Sequence, residues 1–322
     1  MEYVFLFSGQ GSQFKGMAED ICTQYPVART VIDKMSGISG EDIASFLWHT
    51  ESEELARSDR SQLAITAMQI AITTVLQEHG ITPAAAAGFS LGEFSALYAA
   101  KVLDLTTMTK LVTLRGKIMQ KYCEKLDAQS KATGAGCGMA AVLKLPPEKV
   151  VEVLKPYADP DTGVAFAANL NSPMQTVVSG TAEGLDIAEK LCKEAGAKRF
   201  IRLAVAGPFH SPLMRGAAEE FSAALQDVPF NDPAIPIFSN VTGKRLLTGA
   251  EAKKNAVLHL THPVHWLEEE REIAAPANAA ALLEIGPGMT LCNLWRDSGC
   301  AGNCRPTGTA EQLAAILDGS RL

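Results

Sequence analysis

No stretch of this 322-residue chain approaches the roughly 20 consecutive apolar residues of a membrane span, so a membrane-embedded protein is not expected. The opening segment, Met1 to Phe7, carries acidic Glu2 and an apolar run too short for a signal-peptide core, and cytoplasmic residence is the expectation. Basic residues are outnumbered, 29 against 36 acidic ones, for a net charge of -7. A nucleic-acid partner, which needs a basic surface, is therefore not expected. The seven cysteines are odd in number and scattered, which argues against a disulfide framework and for small buried hydrophobes. Metal-ligand spacing is lacking too. His259, His262 and His265 recur every three residues, but Pro263 would break a helix through them and no carboxylate or cysteine falls at a plausible ligand spacing. Cys300 and Cys304 stand too isolated for zinc, so no metal is expected. What the chain does have is 47% hydrophobic residues, enough for a substantial core in one large domain or a large domain plus a small one.

Tyr3 to Phe7 reads as a short buried strand ended by a glycine-rich turn. Gln62 to His79 has helical spacing and stops at Gly80. Ala84 to Phe89 is assigned as a strand only because of the turn that follows it, since alanine is a poor strand former. Strands separated by helices point to an α/β protein whose mostly parallel sheet is flanked by helices. From Met139 the grammar changes. The expected elements are a strand over Met139 to Leu145, a helix over Pro147 to Tyr157, strands over Gly163 to Leu170 and Thr176 to Ser179, a helix over Ala182 to Ala195 and a strand over Arg199 to Val205. That order is the ferredoxin-like, split βαβ pattern. It predicts a small inserted α+β subdomain at residues 130–204, preceded by a flexible run from Gln129 to Gly138. Residues 1–129 and 205–322 would then form the large domain.

Three motifs stand in fixed order: Gly9-Gln10-Gly11-Ser12-Gln13, Gly88-Phe89-Ser90-Leu91-Gly92-Glu93 and Pro208-Phe209-His210-Ser211-Pro212-Leu213-Met214. In the middle one, glycines two residues either side of Ser90 clear space for a sharp strand-to-helix turn and for a close-approaching carbonyl, as a nucleophile requires. The bland alternative is a serine N-cap with Glu93 completing a capping box. His210, in a loop held by two prolines, could supply the basicity that a serine hydroxyl lacks at neutral pH. Arg115 falls within an apolar stripe of Leu111, Leu114, Ile118 and Tyr122 on a helix from about Thr106 to Leu126. A guanidinium aimed into apolar surroundings must be paired, either with a buried carboxylate of the protein or with a carboxylate on a substrate.

Taken together, the motifs closely resemble the malonyl-CoA:acyl-carrier-protein transacylase family of fatty-acid and polyketide synthesis, from about residue 3 to about residue 295. The resemblance implies an active site in the cleft between the two parts of the fold. It implies Ser90 as nucleophile, His210 as base, the backbone N–H groups of Gln10 and Leu91 as oxyanion hole, and Arg115 as the residue gripping the malonyl carboxylate. It matches Phe209 to a bulky residue associated with malonyl over methylmalonyl, although a core aromatic anchoring the loop reads equally well. It also places a histidine-orienting carbonyl in Ser239-Asn240-Val241-Thr242-Gly243, assigned to the main chain of Asn240. Two positions depart from the family: Phe89 stands where histidine is usual, and His265, in Pro263-Val264-His265-Trp266, where Gln or Arg is frequent. His265 is thereby a candidate substrate contact. Asn169-Leu170-Asn171-Ser172-Pro173 matches the family on the small subdomain's side of the cleft.

The expected partners are malonyl-CoA and acyl carrier protein, with the chain acting as a monomer and no cofactor beyond these substrates. Lys193, Lys198, Arg199 and Arg202 form a basic cluster that reads as a solvated face or as a docking surface for an acidic carrier. Two other readings stay open. A serine hydrolase or thioesterase would use the same serine and base, but has no need of Arg115 and normally places its histidine later in the chain. A non-catalytic carrier-binding module would follow if the departures at Phe89 and His265 abolished the chemistry.

Overall fold

The computed structural model describes residues 2–133, 136–203, 205, 207–274 and 281–319. Ten strands run in chain order: β1 (Tyr3–Phe7), β2 (Pro83–Gly88), β3 (Cys137–Leu143), β4 (Ala165–Ser172), β5 (Gln175–Thr181), β6 (Arg199–Arg202), β7 (Ile237–Phe238), β8 (Arg245–Leu246), β9 (Ala281–Ile285) and β10 (Cys304–Pro306). They form two sheets. The first has the order β10-β9-β1-β2-β7-β8 and is parallel except for the β7–β8 edge. Phe5, Leu6 and Phe7 of β1 are fully buried, as a central strand covered on both faces requires.

The second sheet, β4-β5-β3-β6, is antiparallel throughout. Its strands, with the helices Pro147–Leu154 and Ala182–Glu194, follow the order expected of a split βαβ unit. It has an apolar cluster of its own, built from Val142, Val150, Val178 and Leu185 among others. β6 stops at Arg202, short of the expected Val205. Within the run expected to be flexible, the helix Leu105–Thr133 extends past Gln129 and β3 starts at Cys137, while residues 134–135 lie outside the described residues.

The helix Ser58–Glu78 is buried on nearly all sides, so it carries its few polar side chains into the core. Gln69 shows the consequence: its Nε2 donates to the Ser8 carbonyl at 2.6 Å and its Oε1 accepts from Ser95 Oγ at 2.6 Å. On the helix Leu105–Thr133, Leu111, Arg115 and Ile118 face inward as expected, but Leu114 is 36% exposed. The buried face continues instead through Met108, Val112 and Met119.

The alanine-rich β2 lies between β1 and β7 and delivers the chain to a tight elbow. A Cβ on Gly88 would sit 2.0 Å from the Gly92 carbonyl carbon, and one on Gly92 would sit 2.1 Å from the Phe7 carbonyl oxygen. Only glycine fits at both places. Ser90, between them, has φ 51°, a left-handed conformation costly for a residue with a side chain.

Candidate active site

That elbow lifts Ser90 above the carboxyl ends of β1 and β2, where open α/β sheets place their ligands. His210 reaches it from the loop after the second sheet: its Nε2 lies 2.8 Å from Ser90 Oγ. His210 also has positive φ, at 57°, so both partners sit on strained backbone. Its Nδ1 lies 2.8 Å from the main-chain oxygen of His259. A carbonyl only accepts, so Nδ1 carries the hydrogen and Nε2 offers its lone pair to the serine hydroxyl. Burial, helped by the Arg115 charge and opposed by the His259 carbonyl, lowers the His210 pKa to about 4. The imidazole is thus neutral, and free to accept a proton, across the physiological range.

Arg115 is 1% exposed. Its Nη1 donates to Gln62 Oε1 at 2.7 Å and its guanidinium lies 5.4 Å from the centre of the Phe94 ring. Nε and Nη2 are buried and have no hydrogen-bond partner. Glu93 is the acid whose charge it feels, yet the two share no hydrogen bond or ion pair among the described residues. Burial brings the Arg115 pKa down to about 10 against the pull of Glu93, so the group remains a cation at neutral pH. Ser90, His210 and Arg115 line one cavity of about 270 Å³ with Gln10, Phe209, Asn169, Asn171 and Thr290. A larger, mostly apolar cavity of about 880 Å³, lined by Phe166, Pro212, Arg215 and Leu258, shares only His210 with it. The convergence of a serine hydroxyl, a hydrogen-bonded imidazole and a buried cation singles out the smaller one.

The backbone N–H groups of Gln10 and Leu91 donate to no group among the described residues. That of Leu91 heads the helix Gly92–Ala99, whose N-terminus favours negative charge. Gly9 keeps the first loop close to the elbow, since a Cβ there would lie 2.6 Å from the Phe89 carbonyl.

A family model for the acyl transferase domain matches residues 4–303. The chain belongs to the acyl transferase family. It is 37% identical over 291 residues to the malonyl CoA-acyl carrier protein transacylase of Bacillus subtilis (strain 168), covering 90% of this chain and 88% of that one. To the enzyme of the same name from Haemophilus influenzae it is 37% identical over 295 residues, covering 91% of each. Among solved structures, a malonyl-transacylase in complex with a type II PKS acyl-carrier protein superposes with a TM-score of 0.90 at 32% identity, covering 99% of this chain and 100% of that one. An acyl carrier protein S-malonyltransferase from Vibrio cholerae gives 0.88 at 33% identity, covering 98% and 100%.

Within this acyl transferase fold, two expectations need correction. The carbonyl that orients His210 belongs to His259, not to Asn240. The main-chain oxygen of Asn240 accepts instead from His265 N, because the chain turns there towards the helix Trp266–Ala274. Asn240 contributes through its side chain. Oδ1 lies 2.6 Å from Ser90 N and 3.0 Å from His259 Nε2, while Nδ2 donates to the Gly88 carbonyl and to Glu269 Oε1. One buried amide therefore ties the elbow to the residue, His259, whose carbonyl holds the His210 ring. His265 does not line the Ser90 cavity. Its main chain opens the Trp266–Ala274 helix, accepting from Glu268 N and Glu269 N, and its ring turns to Glu268, with 3.7 Å between Nδ1 and Oε2.

Phe89 packs edge-on against Trp266, ring centres 5.4 Å apart, so the departure from histidine serves an apolar contact. Phe209 lines the cavity and is also part of the main core, compatible with both of its readings. Glu93 does not close a capping box: its Oε2 accepts from Asn240 N at 2.9 Å. Burial raises its pKa to about 7, with the Asn240 N–H and Arg115 pulling the other way. Gln62, His259, Glu93 and the Asn240 side chain are the site residues that sequence reasoning missed. In the basic cluster, Lys193 pairs with Glu189 and Arg202 with Asp186.

Proposed function

We propose that the protein moves a malonyl group from malonyl-CoA to the phosphopantetheine thiol of an acyl carrier protein, through a malonyl ester on Ser90. The observation that carries this reading is Arg115: a buried cation with two unpartnered nitrogens, in the same small cavity as the Ser90–His210 pair. A guanidinium edge of that kind fits a planar carboxylate. Ser90 Oγ attacks the thioester carbon while its proton passes to His210 Nε2, and the oxyanion is held by the N–H groups of Gln10 and Leu91. Collapse breaks the C–S bond, and coenzyme A departs with the proton returned by His210. The carrier's thiol then gives its proton to His210 and attacks the ester, and Ser90 Oγ leaves with that proton. Acyl transfer neither oxidises nor reduces, so it calls for no redox cofactor. Phe209 crowds the α-carbon position in this reading, Asn169 faces the acyl group from the second sheet, and residues 130–204 act as an inserted unit closing over the cleft. No described helix is long and apolar enough to cross a membrane.

Intact mass after mixing with malonyl-CoA tests the proposal. A malonyl adduct should form, vanish in Ser90→Ala, and pass to added holo carrier protein. An adduct discharged to water alone would replace the transferase with a hydrolase, and no adduct would return the binding-module reading.

A further inference from the structure

At the β9–β10 edge of the first sheet, outside the Ser90 cavity, three metal-ligating side chains meet that the sequence keeps apart. Leu282 and Glu284 share a face of β9, and the parallel register sets Cys304 of β10 beside Leu282 and Pro306 beside Glu284. The helix Thr290–Ser298 covers this face and brings Cys292 onto it. Cys292 Sγ and Cys304 Sγ are 3.1 Å apart. One carboxylate oxygen of Glu284 and both sulfurs lie within 4.8 Å of one another. Glu284 is fully buried. Its Oε2 accepts from Cys292 N at 2.8 Å, and its Oε1 has no partner. Around it pack Leu282, Leu291, Leu294 and Trp295; Oε1 finds no partner among them, and the Trp295 indole N–H in the same cluster is itself unpartnered.

We propose that Glu284, Cys292 and Cys304 form a binding site for a thiophilic divalent cation of the zinc type. Two sulfurs and one carboxylate oxygen suit such an ion, with a water to complete its four-coordinate shell, and Cys292 is the least buried of the three residues. On binding, each thiol gives up its proton to water, and two thiolates neutralise a dication. The remaining carboxylate charge faces the N-terminus of the Thr290–Ser298 helix, where negative charge is favoured. Tetrahedral Zn–S bonds of about 2.3 Å place two sulfurs about 3.8 Å apart, so the thiols need to open by roughly 0.7 Å. The rival use of the pair is a disulfide, which would draw the sulfurs in to about 2.05 Å and leave Glu284 Oε1 as unsatisfied as before. The cation satisfies all three groups at once. It would pin to the sheet a helix whose first residue, Thr290, lines the Ser90 cavity.

The test uses the full chain, reduced and stripped with a chelator, then titrated with Co²⁺ as a spectroscopic stand-in and with Zn²⁺. One equivalent of Co²⁺ should give a thiolate-to-cobalt absorption band in the near ultraviolet. Cys292→Ser and Cys304→Ser should abolish the band, and Glu284→Gln should weaken binding at least tenfold. As a readout that needs no variant, Zn²⁺ should slow alkylation of Cys292 and Cys304 at least tenfold while Cys22 reacts at an unchanged rate. No band and no protection in the reduced wild type would overturn the site. So would a band that survives Cys292→Ser, or a thiol pair that is found only as a disulfide and takes up no metal once reduced.

Discussion

Replacing Arg115 by methionine keeps a long apolar side chain in the same buried space and removes only the charge and its hydrogen bonds. In the wild type two nitrogens, Nε and Nη2, await acceptors. If a malonyl carboxylate supplies both, each charge-assisted bond contributes about 1.5–3 kcal/mol. Their joint loss of about 3–6 kcal/mol corresponds to roughly 10²–10⁴ in kcat/KM for malonyl-CoA. Acetyl-CoA has no carboxylate to lose, so its kcat/KM should stay within about threefold, and the malonyl-to-acetyl ratio should collapse by nearly the full factor. The assay is coenzyme A release with holo carrier protein as acceptor, run in parallel with the two donors. A second readout comes from the base. Arg115 helps hold the His210 pKa at about 4, so the acid limb of the pH–rate profile should move upward in the variant. Equal losses for malonyl and acetyl, or malonyl transfer that does not change, would refute the carboxylate-binding role and leave Arg115 as a structural cation.

In the wild type, kcat/KM for malonyl-CoA should hold as pH falls through 6.5, the ordinary histidine range, and drop only near about 4, because the buried His210 resists protonation; a limb near 6.5 would contradict this. Asn240→Ala would strip partners from Ser90 N, the Gly88 carbonyl, His259 and Glu269 together, and should cost about 2–4 kcal/mol, seen as a lower Tm by about 3–6 °C, along with slower formation of the Ser90 adduct. Glu270 is buried with one unpartnered oxygen, and burial raises its pKa to about 8. Below pH 4.5 both folded and unfolded states hold its proton; between there and about 8 only the folded state does, so stability declines by up to about 1.4 kcal/mol per pH unit as pH rises. Glu270→Gln should flatten the fall in Tm between pH 6 and 8, and an unchanged slope would count against it.

The parts of the site that sequence reveals are those whose chemistry is written locally. Gly88 and Gly92 fix the Ser90 elbow within five residues, Pro208 and Pro212 bracket His210, and Arg115 stands out because a cation sits inside an apolar stripe. The order of elements from β3 to β6 is likewise local, since each strand and helix carries its own periodicity and caps. Register and edge details were less visible: Leu114 belongs to the stripe by spacing, yet the helix is rotated so that Met108, Val112 and Met119 take the core.

The supporting shell escapes sequence for a different reason. Asn240 lies 150 residues from Ser90 and 19 from His259, and nothing in its neighbourhood tells which of its four hydrogen-bonding capacities will be used. Glu93 shows how a correct local pattern can mislead. A serine followed three residues later by a glutamate is a capping box by every local criterion, but the elbow turns Ser90 towards His210 and leaves the carboxylate to the Asn240 N–H. Glu269 and Glu270 look like the solvated first turn of a helix, and instead one meets the Asn240 amide and the other the Trp266 indole. One signal available in the sequence is Gln62, which like Gln69 is a long polar side chain on a largely apolar helix. Such a residue must satisfy its amide inside the core, and Arg115 is the donor it finds.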